Sequence, residues 1–310
     1  MRIARLGPVG AEHPVLIGDG VVYDLGTITE DIDSRFFESG GMSAVRSALD
    51  AGSLHPLSEE RRAELGDRIG APIARPSAVI CIGMNYAAHA AESGSAPPTV
   101  PIMFLKTPNT VVGPNDTVPI PRGSVATDWE VELGVVIGAR ASYLDSPDES
   151  PAHIAGFVIA NDVSERAFQL EISGGQWSKG KSAPGFNPTG PWLVTPDEVD
   201  HADLRLQSWV NGAPRQDSST RDLIFGVDYL VWYLSQYLTL EPGDLLLTGT
   251  PEGVALSGRF PYLADGDVVD LEIAGLGHQR QLFVSADHAN EPPVPSATAG
   301  RGREHHGAGL

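Results

Sequence analysis

Between residues 78 and 285, glycine and proline cut the chain into short apolar runs at Val131–Ile137, 155–160, 204–210, Leu245–Leu247 and Val268–Ile273. Runs of this length bounded by turn residues are strand signals, so an all-β or β-rich core is expected here. With 35 glycines and 25 prolines in 310 residues the chain is turn-rich, yet short of the ~25–30% that marks low complexity. One hairpin is explicit: 204–210 is followed by Asn211-Gly212 and then 213–216, and Asn-Gly supplies the positive φ pair of a type I′ turn. One amphipathic helix interrupts the strands. Over 222–238, Leu223, Val227, Leu230, Val231, Leu234 and Leu238 recur at three- and four-residue steps.

The length allows roughly two domains at ~150 residues each. Residues 1–72 are expected to form a small N-terminal α+β domain, with short strands at 15–17 and 21–23 and a charged helix at Glu59–Leu65. Pro72 and Pro76 mark 71–77 as a linker, and the second domain is expected over 78–285. Residues 286–310 hold too little apolar surface to offset ordering entropy and are expected to be a disordered tail. Its His305-His306 is discounted as a metal site.

Charge narrows the partners. Lys and Arg number 21 against 40 Asp and Glu, a formal net charge of −19, and such a surface repels phosphate backbones and anionic lipid. Neither a nucleic acid nor a membrane is expected as a partner, since no run approaches the ~18 apolar residues of a spanning helix. The single cysteine, Cys81, excludes an intrachain disulfide and a thiolate zinc cluster, and the expected location is cytoplasmic. Within AVICIG at 78–83, Cys81 reads as a small buried hydrophobe.

Three stretches carry candidate chemistry. In DWEVELGVVI at 128–137, Glu130 and Glu132 share one face of a strand about 7 Å apart at their Cα atoms, opposite Val131, Leu133, Val135 and Ile137. Alone, such a pair is more often a solvated face. The run 155–160 is apolar on both faces and breaks into Asn161-Asp162, so Asp162 could complete an all-oxygen site for Mg²⁺ or Mn²⁺. In GMNYAAHAAE at 83–92, His89 and Glu92 fall at i and i+3, which suits either a water-activating base or an ordinary surface pair. Finally, GQWSKGKS at 175–182 satisfies the letter of a phosphate-binding loop, but Pro184 and Pro188 deny it the following helix. Lys181 is left as a lone cation of interest.

Together these pieces resemble the fumarylacetoacetate hydrolase family from about Val79 to Val284. The resemblance rests on CIGMNYAAHAAE at 81–92, DWEVELGVVIG at 128–138, GFVIANDVSERAFQ at 156–169, QWSKGKS at 176–182, GPW at 190–192, VNG with RQDSST within 210–220, LEPGDLLLTGTPEGV at 240–254 and GD at 266–267. It implies a mixed, mainly β fold, a β-sandwich roll with a few helices and a smaller N-terminal domain, in homodimers that bind Mg²⁺ or Mn²⁺ through three carboxylates. The matching positions place the metal ligands at Glu130, Glu132 and Asp162, a lid dyad at His89 and Glu92, and the active-site lysine at Lys181. Arg166, Gln169 and Thr250 fall where relatives line the substrate site.

Two departures point to a subtype. Longer fumarylacetoacetate hydrolases carry a further carboxylate ligand upstream of the histidine, and 81–85 holds none, which matches the shorter bacterial members. After the lysine, many relatives continue with an aromatic residue and an aspartate, where this chain has SAPGFN at 182–187; similar variants occur among hydrolases of acylpyruvates and 2,4-dioxo sugar acids. The implied function is metal-dependent hydrolysis of a C–C bond in a 2,4-dioxo acid, giving pyruvate and a carboxylic acid. Alternatives are oxaloacetate decarboxylation, or isomerisation with decarboxylation, by the same site. A non-catalytic metal-binding scaffold is disfavoured, because a structural cation site has no need of His89, Glu92 or Lys181.

Overall fold

The computed structural model describes residues 1–287 apart from 19, 93 and 95. Most of the expected tail, with His305 and His306, lies outside the described residues. A ten-stranded sheet runs in the order Val21–Asp24, His13–Gly18, Arg2–Leu6, Leu193–Val194, Ile154–Asn161, Val131–Ile137, Leu245–Leu247, Val79–Gly83 and Ile102–Lys106, with Ile69–Gly70 also paired to Arg2–Leu6. A five-stranded sheet runs Ala213–Ser219, Arg205–Val210, Val268–Ile273, Gly277–Ser285 and Val118–Ile120.

The mainly β expectation holds, and the central strands show why their sequences are apolar throughout. All seven residues of Val131–Ile137 are buried. Val131, Leu133, Val135 and Ile137 enter a core shared with Leu206, Val269 and Leu271 of the smaller sheet. Val136, with Val158 and Leu245, enters a second core against Phe36, Phe37 and Val45. A sheet covered on both faces has no polar side to present.

The N-terminal segment is continuous with this sheet. Arg2 and Ile3 pair with Val194 and Leu193, and the N-terminal ammonium donates to Thr195 Oγ1 at 2.5 Å. The segment expected as a separate small domain therefore shares backbone hydrogen bonds with the larger one.

The helix expected over 222–238 is shorter, Val227–Ser235, and keeps Val227, Leu230, Val231 and Leu234 buried. Its beginning is displaced because Thr220–Asp222 forms a 3₁₀ turn and Leu223 bridges to Tyr86. The Asn211-Gly212 turn forms as expected, with φ of 52° and 75°, between Arg205–Val210 and Ala213–Ser219. Among the described residues no helix is long and apolar enough to cross a membrane.

One antiparallel pairing positions the site. Val131 faces Asn161 across the ladder of Val131–Ile137 with Ile154–Asn161, so the start of one strand meets the end of the other. The ladder continues one step further, where the Asp162 N–H donates to the Glu130 carbonyl at 3.0 Å.

Candidate active site

Glu130, Glu132 and Asp162 meet at that junction, with carboxylate oxygens within 4.8 Å of one another and exposures of 5, 1 and 1%. Glu130 lies one residue before its strand rather than on it, and still shares the cluster with Glu132. Three buried carboxylates in contact require cations. Lys181 Nζ donates to Glu130 Oε2 and Asp162 Oδ2, each at 2.7 Å. Lys106 Nζ pairs with Asp162 Oδ1 and donates to the Phe186 carbonyl at 2.6 Å. The Arg166 guanidinium donates to Asp128 Oδ2 at 2.8 Å, Glu130 Oε1 at 2.6 Å and Gln169 Oε1 at 3.0 Å.

The three carboxylates are not equally compensated. Burial would raise the Glu130 pKa, but Lys181 and Arg166 outweigh it and hold the carboxyl far below the usual range. Burial likewise works against the Lys181 ammonium, yet Asp162 and Glu130 raise its pKa, so it stays charged. Among the described residues Glu132 has no bonded cation. It accepts the Gly249 N–H at 2.9 Å, and burial, then Asp162 and Glu130, push its pKa well above 4.5. A hard, all-oxygen donor set with one under-compensated buried carboxylate fits a divalent cation such as Mg²⁺ or Mn²⁺.

Seven of the nine residues singled out from the sequence line one cavity of about 210 Å³. Asp162 is tied to it through Lys181, and Glu92 lines an adjoining cavity together with His89. His89 sits on the short helix Ala87–Glu92, with Nδ1 4.0 Å from Glu92 Oε2, too far for a hydrogen bond. That nitrogen is buried and unpartnered, and burial lowers the imidazole pKa. Glu92 is fixed by the Gly253 N–H at 3.0 Å and Arg259 Nη1 at 2.8 Å. Thr250 Oγ1 donates to the Val131 carbonyl at 3.0 Å and accepts from Gln216 Nε2 at 2.8 Å.

The loop carrying Lys181 ends in a four-residue helix, Ser178–Lys181, and its ammonium faces carboxylates, the opposite of a phosphate cradle. Gly180 makes the approach possible. A Cβ there would lie 2.5 Å from the Glu165 carbonyl oxygen and from Gln169 N. Cys81 is fully buried with its thiol pKa raised, chiefly by burial, as a core residue should be.

Lys106 and Asp128 were not anticipated. Asp128 stands two residues before Glu130, and Lys106 closes the run IMFLK. A lone lysine ending an apolar strand was the available signal, but its partner, Asp162, is 56 residues away. Met84, on the cavity wall, has φ of 58°, a left-handed conformation that non-glycine residues rarely adopt outside constrained sites.

Residues 78–284 match the family described as fumarylacetoacetate (FAA) hydrolase C-terminal. The chain is 44% identical over 296 residues to 2,4-didehydro-3-deoxy-L-rhamnonate hydrolase of a Sphingomonas species, covering 94% of this chain and 99% of that protein. Among solved structures it is similar to fumarylacetoacetate hydrolase from Exiguobacterium antarcticum, at 33% identity and a TM-score of 0.75, covering 92% of this chain and 99% of that one. It is also similar to maleylpyruvate hydrolase from Sphingobium sp. SYK-6 in complex with manganese(II) and pyruvate, at 26% identity and a TM-score of 0.72, covering 92% and 99%.

Proposed function

Because the chain belongs to the fumarylacetoacetate hydrolase family, we propose that it hydrolyses a carbon–carbon bond of a 2,4-dioxo acid, releasing pyruvate and a carboxylic acid. The observation that carries this reading is the buried carboxylate triad beside Lys181 and His89 in one cavity. The 44% identical relative is named 2,4-didehydro-3-deoxy-L-rhamnonate hydrolase, and a structural neighbour was solved with manganese(II) and pyruvate.

Glu130, Glu132 and Asp162 would hold the divalent cation, which supplies positive charge and Lewis acidity toward the oxygens of a 2-oxo acid. His89, kept neutral by its lowered pKa, takes a proton from water as the water oxygen bonds to C4. Lys181 stays protonated and donates toward the oxyanion that develops at C4. When that oxyanion collapses, the C3–C4 bond breaks and its electron pair passes to C3, delocalised over the 2-oxo group. The proton held by His89 then goes to C3, and the new carboxylic acid ionises into solvent. Arg166 and Thr250 act by position, the first holding Glu130 and the second bonding the backbone beside it.

The same reading takes the chain to be a homodimer. In support, the outer strand Ile102–Lys106 is paired on one side only and leaves Ile102, Met103 and Leu105 at 37, 42 and 47% exposure. Light scattering tests it, and a monomer at micromolar concentration overturns it.

A pyruvate-release screen with Mg²⁺ and Mn²⁺ over acylpyruvates, dioxo sugar acids, fumarylpyruvate and oxaloacetate tests the activity. Equimolar pyruvate and carboxylic acid is the expected result. Carbon dioxide from oxaloacetate, with no acid from any 2,4-dioxo substrate, replaces hydrolysis by decarboxylation.

A further inference from the structure

Among the described residues the cations that line the cavity, Arg166 and Lys181, and Lys106 behind them are already bonded to carboxylates. Lys181 and Lys106 are bonded to carboxylates of the triad, and Arg166 spans Asp128 and Glu130. Arg259, outside the cavity wall, is paired with Glu92 at 2.8 Å. Counted formally, Asp128, Glu130, Glu132 and Asp162 set four negative charges against three on Lys106, Arg166 and Lys181. A divalent cation would turn the resulting single negative charge into a single positive one. That is the complement of one carboxylate, with nothing left for a second.

Apart from these charges and the polar side chains of His89, Gln169 and Thr250, the wall is apolar, formed chiefly by Met84, Phe104, Leu170, Trp177 and Leu256. Phe104 and Trp177 meet edge to face with centroids 5.6 Å apart. Trp177 is seated against Gly83, where a Cβ would lie 2.5 Å from its ring. Leu170 and Leu256 are 46 and 36% exposed, leaving part of each side chain free to meet a ligand. A carboxylate resting on these side chains loses hydration and is offered no donor but the Trp177 indole N–H.

We propose that the acyl group of the substrate is uncharged and largely apolar, and that these five side chains select against 2,4-dioxo acids ending in a second carboxylate. This deepens the hydrolase reading and rests on it. With a divalent cation bound, the site of a chain of net charge −19 would carry enough positive charge for one carboxylate only.

The test compares 2-oxohexanoate with 2-oxoadipate, which differ only at the far end and lack the 4-carbonyl needed for cleavage. Calorimetric titration of the Mg²⁺-loaded protein is expected to give a Kd at least tenfold lower for 2-oxohexanoate. Leu170→Arg, or Leu256→Lys should the first variant not fold, is expected to tighten 2-oxoadipate at least tenfold. Equal or tighter binding of 2-oxoadipate by the wild type overturns the proposal, as does no measurable binding of 2-oxohexanoate. Because binding is read without turnover, a protein that shows the preference yet releases no pyruvate from any 2,4-dioxo acid upholds the selectivity and overturns the hydrolase reading.

Discussion

Lys181 Nζ lies 2.7 Å from Glu130 Oε2, across 51 residues of sequence. With its second bond to Asp162, this ammonium ties the helix Ser178–Lys181 to the ends of two central strands. Lys181→Met leaves both carboxylates buried without their shared cation. Breaking a buried pair in this way costs about 3–5 kcal/mol, and losing the charge aimed at the oxyanion is expected to lower kcat by about 10²- to 10³-fold. Thermal unfolding and steady-state pyruvate release measure the two effects.

Glu132 behaves differently because burial and its acidic neighbours raise its pKa well above 4.5. In metal-free protein the folded state keeps a proton that the unfolded chain releases near that value. The contribution to stability is therefore full below pH 4.5 and is lost as pH rises toward the folded value. Metal-free Glu132→Gln is expected to melt above the wild type at neutral pH, with the gap closing in acid. The variant should also lose the Mg²⁺-dependent rise in Tm, which corresponds to about 2.7 kcal/mol at a hundredfold excess over Kd. Melting curves in chelator and in Mg²⁺ check both statements.

Burial lowers the pKa of His89 below the ordinary 6.5. As a base it is competent when neutral, so kcat/KM is expected to hold down to about pH 6.5 and to fall only below it. His89→Ala should reduce kcat by about 10²- to 10⁴-fold and abolish that acid limb. An unchanged rate at saturating Mg²⁺ would falsify the assignment of His89 as the base.

Arg166 reaches Asp128, Glu130 and Gln169 with three different nitrogens. A lysine offers a compact charge that cannot span all three. Arg166→Lys is expected to destabilise the fold by about 1–3 kcal/mol for each buried acceptor left without its donor and to weaken Mg²⁺ binding, since Glu130 loses its fixed orientation. Denaturant unfolding and metal titration read these outcomes, and wild-type behaviour in both removes the positioning role.

Gly180→Ala places a methyl group 2.5 Å from the Glu165 carbonyl oxygen, a contact that backbone must move to relieve. The displaced element is the one that carries Lys181. A loss of at least about tenfold in kcat is expected from mispositioning alone. Gly174→Ala, at an open site with nothing near its Cβ but φ of +68°, serves as the contrasting variant, with strain and no collision.

Much of the candidate site was legible because its carboxylates lie at visible breaks in pattern. Glu132 interrupts an apolar strand, Glu130 stands just before it, and Asp162 follows a strand that is apolar on both faces. Local pattern also revealed the short helix with His89 and Glu92 and the denial of a phosphate loop by Pro184 and Pro188. Lys106 escaped because its significance lies in the partner it meets after 56 residues of intervening chain. Arg166 and Thr250 were placed by resemblance as substrate contacts. Their side chains are bonded to Glu130 and to the Val131 carbonyl respectively, a commitment no spacing rule could reveal. The helix over 222–238 was overextended because Leu223 keeps the helical period while its backbone bridges to Tyr86.

The sequence by itself determined the strand-rich core, the three acidic residues that stand out as a candidate cation site and the exclusion of disulfide and phosphate-loop chemistry, because periodicity and composition act locally. Only the tertiary structure decided which of these charges compensate one another. The Val131–Asn161 register brings Glu130 to Asp162. Gly180 lets Lys181 approach both, and Arg166 and Lys106 close around them while Glu132 remains under-compensated. Electrostatic energy depends on distance and burial in three dimensions, and neither can be read from separation along the chain.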